Sequence, residues 1–361
     1  MSGYRLPPEW APQDAVLLTW PHAGTDWADD LDVVETVFFQ LAGTILRFQA
    51  LVILCHDAAL RDRLKTLFAN PTAQLHPLYL ALIPNNDSWA RDHGPITVLD
   101  NTGAPVWLNF CFTGWGDKYA AALDNQINDR LFGAPFIAVR TIERLDLVLE
   151  GGAIDTDGRG TLLVTKRCLL HPNRNPGLSQ HELTARLSEL FGLQQILWLD
   201  HGQLAGDDTD GHIDMLARFT PGGAIVYQGC DDKNDTHFAE LQAMAQQLAT
   251  FCDAQGQAYP LFALPWPAAI FDHPGRTDDA EGTRLPASYA NFLIINGAVL
   301  VPQYADEADA RALAVIGQAF AGYDIIGIPC LPLIRQRGSL HCVTMQLPRG
   351  VLQTFAQGIT H

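Results

Sequence analysis

The segment Leu78-Tyr-Leu-Ala-Leu-Ile-Pro-Asn-Asn-Asp-Ser-Trp-Ala-Arg-Asp92 joins an apolar run to a polar one, and its pattern indicates the fold. The apolar run over 78–83 is typical of a short buried strand. The Pro-Asn-Asn-Asp cluster that follows predicts a turn. A polar and aromatic stretch therefore begins where a strand ends.

The chain on either side of this segment predicts an α/β fold. Apolar residues recur at a spacing of three to four over 29–47 and 57–68, which indicates two amphipathic helices. The apolar runs 50–55 and 96–99 are typical of strands. The first hundred residues thus alternate strand and helix, as α/β proteins do.

The same alternation continues toward the C-terminus. Ser179 and Glu182 form a capping-box pattern, which predicts that a helix begins there. The predicted helices cover 120–132, 179–191, 235–255 and 306–320. The predicted strands cover 104–110, 136–139, 147–149, 161–165, 195–199, 215–219, 290–301, 325–328 and 340–346.

Polar side chains recur at the predicted strand ends, at Asp92, Glu150, His212 and Cys342. The first three are about 60 residues apart, and the last interval is about twice as long. Successive copies of one structural unit would produce such spacing, as in propellers and other repeat arrays. We therefore expect several strand–helix units to contribute residues to one site.

Composition excludes several classes of function. The chain has 361 residues, of which 48% are hydrophobic and 17% are charged, so it can bury a large core. Its net charge of −17 argues against binding nucleic acid, which requires clustered Lys and Arg. No apolar run approaches the length of a membrane span. We expect neither nucleic acid nor a membrane as a partner.

The seven cysteines indicate a reducing environment. They are odd in number, scattered, and contain no Cys-x-x-Cys pair. The first residues show no apolar core of a signal peptide. We expect free thiols and a cytoplasmic location.

Gly211-His-Ile-Asp214 places an imidazole and a carboxylate two residues apart. On a strand both side chains would share one face, so His212 could act as an acid or base beside a cation-binding Asp214. Three alternatives remain to be weighed: a divalent metal site, a Ca²⁺ loop over 206–217, and a solvated turn. The Ca²⁺ loop is excluded, because Gly206 and Ala217 would have to be its first and last ligands.

Two other motifs carry carboxylates. Trp89-Ala-Arg-Asp92 places an aromatic ring beside a close Arg91/Asp92 pair, for which a structural ion pair is the alternative interpretation. Glu150-Gly-Gly152 ends an apolar strand with a carboxylate and two glycines, which permit close approach of the backbone. A turn with an exposed Glu is its alternative.

The motif Arg337-Gly-Ser-Leu-His-Cys-Val-Thr344 contains the candidate nucleophile, the thiol of Cys342. A buried, inert thiol is the alternative. If this stretch is a strand, His341 points to the opposite face and is a poor base for Cys342. A nucleophilic Cys must ionise, so a nearby cation, either a His or the substrate, must lower its pKa.

One thiol, one imidazole and several carboxylates together indicate chemistry on a guanidinium group. A guanidinium is a planar cation whose N–H donors match carboxylates in bidentate pairs. The thiolate could then attack its central carbon. Acyl transfer would instead call for donors to an oxyanion.

The chain resembles the agmatine deiminases of the bacterial peptidyl-arginine-deiminase-like family, within the guanidino-modifying superfamily. The resemblance runs nearly end to end, and its combination of motifs is specific although no single motif is. They are Leu6-Pro-Pro-Glu-Trp-Ala-Pro12, Asn86-Asp-Ser-Trp-Ala-Arg-Asp-His-Gly-Pro95, Gly114-Trp-Gly-Asp-Lys-Tyr119, Leu149-Glu-Gly-Gly152, Gly206-Asp-Asp-Thr-Asp-Gly-His-Ile-Asp214, Pro286-Ala-Ser-Tyr-Ala-Asn-Phe292 and His341-Cys-Val-Thr344.

This resemblance implies an α/β fold, a pseudo-symmetric five-bladed α/β propeller called the pentein fold. It implies a single catalytic domain over 1–361, made of five repeated αβ units around one site. A further unit that carries Pro286–Phe292 would explain the long interval before Cys342. No cofactor and no metal are implied, the expected partner is a small cationic guanidine, and a homodimer is the candidate assembly.

The resemblance also implies the roles of residues. Cys342 would attack the guanidinium, and His212 would serve as general acid and base. Glu150 would orient His212, and the carboxylates of Asp92 and Asp214 would hold the substrate. Agmatine would be converted to N-carbamoylputrescine and ammonia through a thiouronium on the cysteine.

Three further residues, Trp89, Trp115 and Asp87, are expected to bind the substrate. Alternatives are a deiminase for peptidyl or free arginine, and a relative that binds a guanidine or amine without catalysis. They arise because the family carries a Gly-Gly-Gly-Asn run where this chain has Gln336-Arg-Gly-Ser339.

Overall fold

The computed structural model describes residues 3–69, 75–272 and 282–353. Its strands are β1 (Gln13–Thr19), β2 (Ala50–Cys55), β3 (Leu78–Leu82), β4 (Ile96–Leu99), β5 (Pro105–Cys111), β6 (Ile142–Val148), β7 (Ile154–Thr156), β8 (Thr161–Thr165), β9 (Gln195–Leu199), β10 (Ala217–Phe219), β11 (Ile225–Gln228), β12 (Leu261–Leu264), β13 (Leu293–Ile295), β14 (Ala298–Gln303), β15 (Asp324–Pro329) and β16 (Thr344–Pro348).

The helices lie between these strands. The α-helices are Leu31–Ile45, Ala58–Leu67, Ala90–His93, Gly114–Asp117, Ile127–Phe132, Lys166–Leu169, Gln180–Phe191, Phe238–Leu248, Asp309–Ala319 and Leu331–Ile334. Short 3-10 helices cover Ala28–Asp30, Asp124–Gln126, Gly151–Ala153 and Ile213–Met215.

The strands form five small sheets with a shared pattern. Four sheets have three strands each, in the orders β4-β5-β6, β7-β8-β9, β10-β11-β12 and β13-β14-β15. In each, the first strand is antiparallel to the second, and the second is parallel to the third. A helical crossover joins each parallel pair, as parallel pairing requires. The predicted α/β fold and five-bladed propeller are confirmed.

The fifth sheet closes the ring with strands from both ends of the chain. Its order is β16-β1-β2-β3, and β16 from the C-terminus pairs antiparallel with β1. The strand β16 therefore occupies the place that the first strand has in the other four sheets. Because Cys342 precedes β16 by two residues, closure of the ring also positions the thiol.

Several predicted elements match the structure closely. The strands at 50–55, 96–99, 161–165 and 195–199 have the predicted bounds. The helix Gln180–Phe191 begins with the predicted capping box of Ser179 and Glu182, and it ends at Gly192, which has a left-handed φ of 67°.

Other predicted elements were wrong in their bounds. The helix predicted over 235–255 covers only Phe238–Leu248, because Cys252 already pairs with Ala258. The strand predicted over 290–301 is a hairpin, β13 and β14, with Asn296-Gly297 as its turn. The predicted segment 120–132 is helical only from Asp124, and 136–139 has a single isolated bridge.

No helix in the described part of the chain is both long enough and apolar enough to cross a membrane.

A carboxylate from the N-terminal segment links three blades at the centre. Glu9 is buried and accepts hydrogen bonds from Arg218 on β10, from the backbone N–H of Ile294 on β13 at 2.7 Å, and from His341 at 2.8 Å. The neighbouring cations hold the pKa of Glu9 well below its usual range, despite its burial. This residue is therefore a charged link between blades that are distant in sequence.

We predict that Glu9→Gln lowers the free energy of unfolding by about 3 kcal/mol, because it leaves buried cations without their counter-charge. Because the glutamine amide is about as large as the carboxylate, the loss of stability can be attributed to the loss of charge. Thermal or denaturant unfolding would measure it, with the exposed Glu307→Gln as the matched control. Equal stability of the two variants would contradict the prediction.

Candidate active site

The site residues lie in short turns that directly precede the first strand of each blade. Asp92 lies in the helical turn Ala90–His93 before β4, and Glu150 precedes the turn Gly151–Ala153 before β7. His212 and Asp214 flank the start of the turn Ile213–Met215 before β10. Neighbouring turns contact one another, so residues about 60 positions apart meet at the centre.

This placement corrects the local geometry that we expected. His212 and Asp214 lie in a 3-10 turn, not on a strand, and β10 begins only at Ala217. His341 and Cys342 also lie in a turn, because β16 begins at Thr344. The side chains still converge, but by the meeting of turns and not by alternation along a strand.

Hydrogen bonds connect the turns to one another. The backbone N–H of Gly152 donates to Asp92 at 3.1 Å, and the backbone N–H of Arg91 donates to the carbonyl of Cys342 at 3.1 Å. The amide of Asn291, just before β13, accepts from the backbone N–H of His341 at 2.9 Å. Each blade therefore helps to fix the turn of another.

Asp92 faces the reaction centre and not its neighbour Arg91. Its carboxylate accepts a hydrogen bond from the indole of Trp115 at 2.9 Å and lies 3.6 Å from Nδ1 of His212. Arg91 instead contacts the His341 carbonyl and Gln346. Burial raises the pKa of Asp92 to about 6, although His212 and Trp115 oppose this. The alternative of an Arg91–Asp92 ion pair is therefore wrong.

Gly152 allows these groups to approach one another. A Cβ at this position would lie 2.5 Å from Nδ1 of His212 and 2.8 Å from Oδ1 of Asp92. Both distances are well below van der Waals contact. The second glycine of the Glu-Gly-Gly motif is thus required by the packing of two site residues.

His212 is fully buried, and its surroundings favour the protonated ring. Burial opposes the charged form, but Asp92, the Cys168 sulfur and Glu150 outweigh it and raise the pKa of His212 well above its usual value. Within the described residues neither of its ring nitrogens has a hydrogen-bond partner. The imidazolium is therefore available to a ligand.

Glu150 is held by an arginine that sequence reasoning missed. Both carboxylate oxygens accept from Nε of Arg174, at 3.0 and 3.1 Å, and the same guanidinium binds Asp210 at 2.6 Å. Arg174 lies 24 residues after Glu150, in a loop that carries no motif pointing to this role. That Glu150 orients His212 stays a prediction, because no hydrogen bond between them is formed.

Cys342 lies against one carboxylate and one amide. Its Sγ is 3.8 Å from Oδ2 of Asp214 and 3.3 Å from Nδ2 of Asn291. Burial, followed by Asp214 and Asp92, raises the pKa of the thiol well above its usual value. The sulfur is therefore a thiol until a cation neutralises the surrounding carboxylates.

His341 supports Asp214 and does not contact Cys342 through its ring. Nδ1 lies 2.7 Å from Asp214, and Nε2 lies 2.8 Å from Glu9. Because ionised carboxylates only accept hydrogen bonds, both ring nitrogens are placed as donors. Hydrogen bonding to His341, together with the nearby charges, holds the pKa of Asp214 below its usual range in spite of burial.

A cleft with a cavity volume of about 30 Å³ reaches Cys342. The predicted substrate residues Asp87, Trp89, Asp92 and Trp115 all line it. Trp89 packs against the backbone of Gly338, where a Cβ would lie 2.1 Å from the indole. The structure thus brings the predicted binding residues to the predicted nucleophile.

Two features of this cleft depart from ordinary local structure. Trp115 has a φ of 59° and Arg337 a φ of 67°, values that bulky residues rarely adopt.

Burial raises the pKa of Asp87, at the mouth of the cleft, to about 7.

Within the described ranges, one group has the composition of a metal site. Ligand atoms of Glu150, Cys168 and His212 lie within 4.8 Å of one another, and zinc binds all three residue types. The carboxylate of this group is already engaged by Arg174. The expectation that no metal takes part stays a prediction.

Asn291 and Cys168 are further residues that sequence reasoning did not assign to the site. Asn291 lies in Pro286–Phe292 and precedes the first strand of its blade, as Asp92 and Cys342 do. The repeat could therefore have identified it. Cys168 follows β8 and has no such signal.

Comparison with known proteins gives a consistent result. The family model for Porphyromonas-type peptidyl-arginine deiminase matches residues 5–348. The agmatine deiminase of Stutzerimonas stutzeri is 31% identical over 96% of this chain and 96% of its own.

Two solved structures are similar throughout. The putative arginine deiminase of Porphyromonas gingivalis has a TM-score of 0.88 and is 48% identical, over 97% of this chain and 100% of its own. The C. jejuni agmatine deiminase with substrate bound has a TM-score of 0.86 and is 33% identical, over 96% of this chain and 97% of its own.

We predict that Gly152→Ala lowers the kcat/KM for a guanidine substrate by about 100-fold, because the added methyl group displaces His212 and Asp92. Steady-state kinetics would measure the loss, and circular dichroism would show that the fold persists. Gly43→Ala is the matched control, since nothing lies within 4 Å of its added Cβ on the helix Leu31–Ile45. Full activity of Gly152→Ala would show that the close packing does not matter.

Proposed function

The chain belongs to the Porphyromonas-type peptidyl-arginine deiminase family, and we propose that it hydrolyses agmatine to N-carbamoylputrescine and ammonia. One observation carries the proposal: the Cys342 thiol and the Asp92 carboxylate line one cleft, with the His212 imidazole 3.6 Å from Asp92 and the Asp214 carboxylate 3.8 Å from the sulfur. Agmatine is a small cation, which fits this acidic site. The agmatine deiminases among the similar proteins support the same substrate.

Binding of the substrate activates the nucleophile. The guanidinium is held between the Asp92 and Asp214 carboxylates by charge-assisted hydrogen bonds. Its positive charge offsets the two carboxylates that raise the pKa of Cys342, so the thiol loses its proton when the substrate is present. That proton passes to solvent, because the lowered pKa of Asp214 makes this nearest carboxylate, 3.8 Å from Sγ, a poor acceptor.

The first half of the reaction releases ammonia. Sγ of Cys342 attacks the central carbon of the guanidinium and forms a tetrahedral adduct. The His212 imidazolium gives its proton to one –NH₂ group, and the C–N bond breaks to release ammonia. A cationic S-alkylthiouronium remains on Cys342, and His212 is left neutral.

The second half hydrolyses this intermediate. Neutral His212 takes a proton from water while the oxygen attacks the thiouronium carbon. The C–S bond then breaks, the ureido product leaves, and the sulfur regains a proton. Ammonia takes up the proton that the thiol lost, so one water is consumed for each guanidinium.

Glu150 has an electrostatic role in this proposal. With Asp92 it keeps His212 protonated before the first step, so the acid is ready when the adduct forms. Arg174 holds Glu150 in place through both carboxylate oxygens. We also propose a cytoplasmic location, on the basis of the seven free cysteines.

We predict that Cys342→Ala abolishes release of ammonia and of the ureido product from agmatine, because no other group can form the thiouronium. In the wild-type protein, mass spectrometry after treatment with a haloacetamidine should find the label on Cys342. Cys252→Ala, which changes a thiol outside the cleft, is the matched control and should keep its activity. Turnover by Cys342→Ala would overturn the thiol mechanism.

We predict that kcat/KM falls as the pH decreases through about 6, because protonated Asp92 no longer holds the guanidinium. Trp115→Phe should move this midpoint to higher pH. The indole N–H stabilises the carboxylate, so its removal raises the pKa of Asp92.

The pH profile of kcat/KM for wild type and Trp115→Phe would test this. Tyr119→Phe is the matched control, because the Tyr119 hydroxyl donates to Asp208 at 2.7 Å and not to Asp92. A midpoint that Trp115→Phe leaves in place would show that Asp92 does not limit binding.

A further inference from the structure

Arg337 lies at the mouth of the same cleft that ends at Cys342. It lines the cleft together with Asp26, Asp87, Tyr119 and Asp208. A guanidinium held at Cys342 must direct the rest of the substrate toward this mouth. The groups at the mouth therefore meet the far end of the substrate.

The Arg337 side chain has no partner in the described part of the chain. Its side chain makes no hydrogen bond and no ion pair there, although four aspartates line the same cleft. Asp208 accepts instead from the Tyr119 hydroxyl at 2.7 Å. Burial raises the pKa values of both residues, and the positive charge of Arg337 partly opposes this rise. An unpaired guanidinium beside a ligand cleft is available to an anion.

The backbone conformation of Arg337 indicates that its side chain has a function. Its φ of 67° lies in the left-handed region, where glycine is unstrained and other residues are not. The next residue, Gly338, packs directly against Trp89, so the turn is fixed tightly on the cleft. If position 337 only had to form the turn, glycine would serve better. Strain of this kind is typical of functional positions.

The mouth of the cleft therefore carries both a cation, Arg337, and carboxylates. Asp87 has a pKa of about 7, so it is about half protonated at neutral pH, and this reduces the negative charge at the mouth of the cleft. An ammonium group alone, as in agmatine, would find carboxylates at the mouth but would also meet the Arg337 cation. A carboxylate would find in Arg337 a planar donor that it can bind in bidentate fashion.

We infer that Arg337 binds a carboxylate at the far end of the guanidine substrate, so that ω-guanidino acids, arginine among them, are substrates beside agmatine. The inference rests on the proposed function, because it assumes that the guanidinium occupies the Cys342 end of the cleft. Arg337 is then the residue that sets the choice between a cationic and an anionic far end.

Three compounds separate the two charges at the far end. Arginine carries an amino and a carboxylate group there, agmatine lacks the carboxylate, and 5-guanidinopentanoate lacks the amino group. Arg337→Gln and Arg337→Gly should lower the ratio of kcat/KM for 5-guanidinopentanoate to that for agmatine by about tenfold, as loss of a charge-assisted pair does. The same ratio for arginine should fall as well.

Two further variants distinguish charge from structure. Arg337→Lys keeps the charge and should retain most of the preference. Arg335→Gln removes a cation two residues away that is paired with Asp30 outside the cleft, and it should leave the ratio unchanged. A change of less than twofold in Arg337→Gln, or failure of the wild type to bind 5-guanidinopentanoate, would overturn the inference.

Calorimetric binding of the three compounds to Cys342→Ala separates this inference from the proposed function. If the acids bind through Arg337 but wild type releases no ammonia from any compound, the proposed function fails, and of the inference only the binding of the carboxylate by Arg337 stands. If agmatine is hydrolysed and the acids neither bind nor react, only the inference fails. If none of the three binds, both are overturned.

Discussion

The buried carboxylate of Glu9 is the interaction on which the arrangement of the site depends. Arg218, His341 and the backbone of Ile294 all donate to it, and they belong to segments far apart in the chain. His341 in turn donates to Asp214, which lies against Cys342. The charge that holds the blades together thus also fixes the carboxylate beside the nucleophile. A buried ion network demands close geometry, because an unpaired charge in the interior is costly.

The resting site has more negative than positive groups around the sulfur, and this excess gives it selectivity for cations. Burial, together with Asp214 and Asp92, raises the pKa of Cys342, which favours the neutral thiol in the resting site. A guanidinium removes that excess when it binds, and it thereby activates the group that attacks it. Asp92 also raises the pKa of His212, which favours the protonated ring that can serve as the acid. One set of charges accounts for binding, activation and the first proton transfer.

The sequence predicted the convergence of the site more reliably than its local geometry. The recurrence of polar residues about 60 positions apart located Asp92, Glu150 and His212, because every blade presents the turn before its first strand to the centre. The assumption of strands was wrong at His212 and Cys342, since a run of a few residues does not distinguish a strand from a 3-10 turn. Arg174 could not be predicted, because its pairing with Glu150 depends on how a loop without a motif packs in three dimensions.

Five described residues other than glycine have a left-handed φ, and two of them, Trp115 and Arg337, line the cleft. Trp115 adopts a left-handed backbone that turns its indole toward Asp92, and Gly152 leaves no room for any side chain between His212 and Asp92. Arg337, at the mouth of the cleft, also has a left-handed backbone conformation. A fold selected for stability alone would place small or flexible residues at such positions, or avoid them. The strain at Trp115 and Arg337 therefore falls on two residues that line the cleft, where contact with a ligand would account for it.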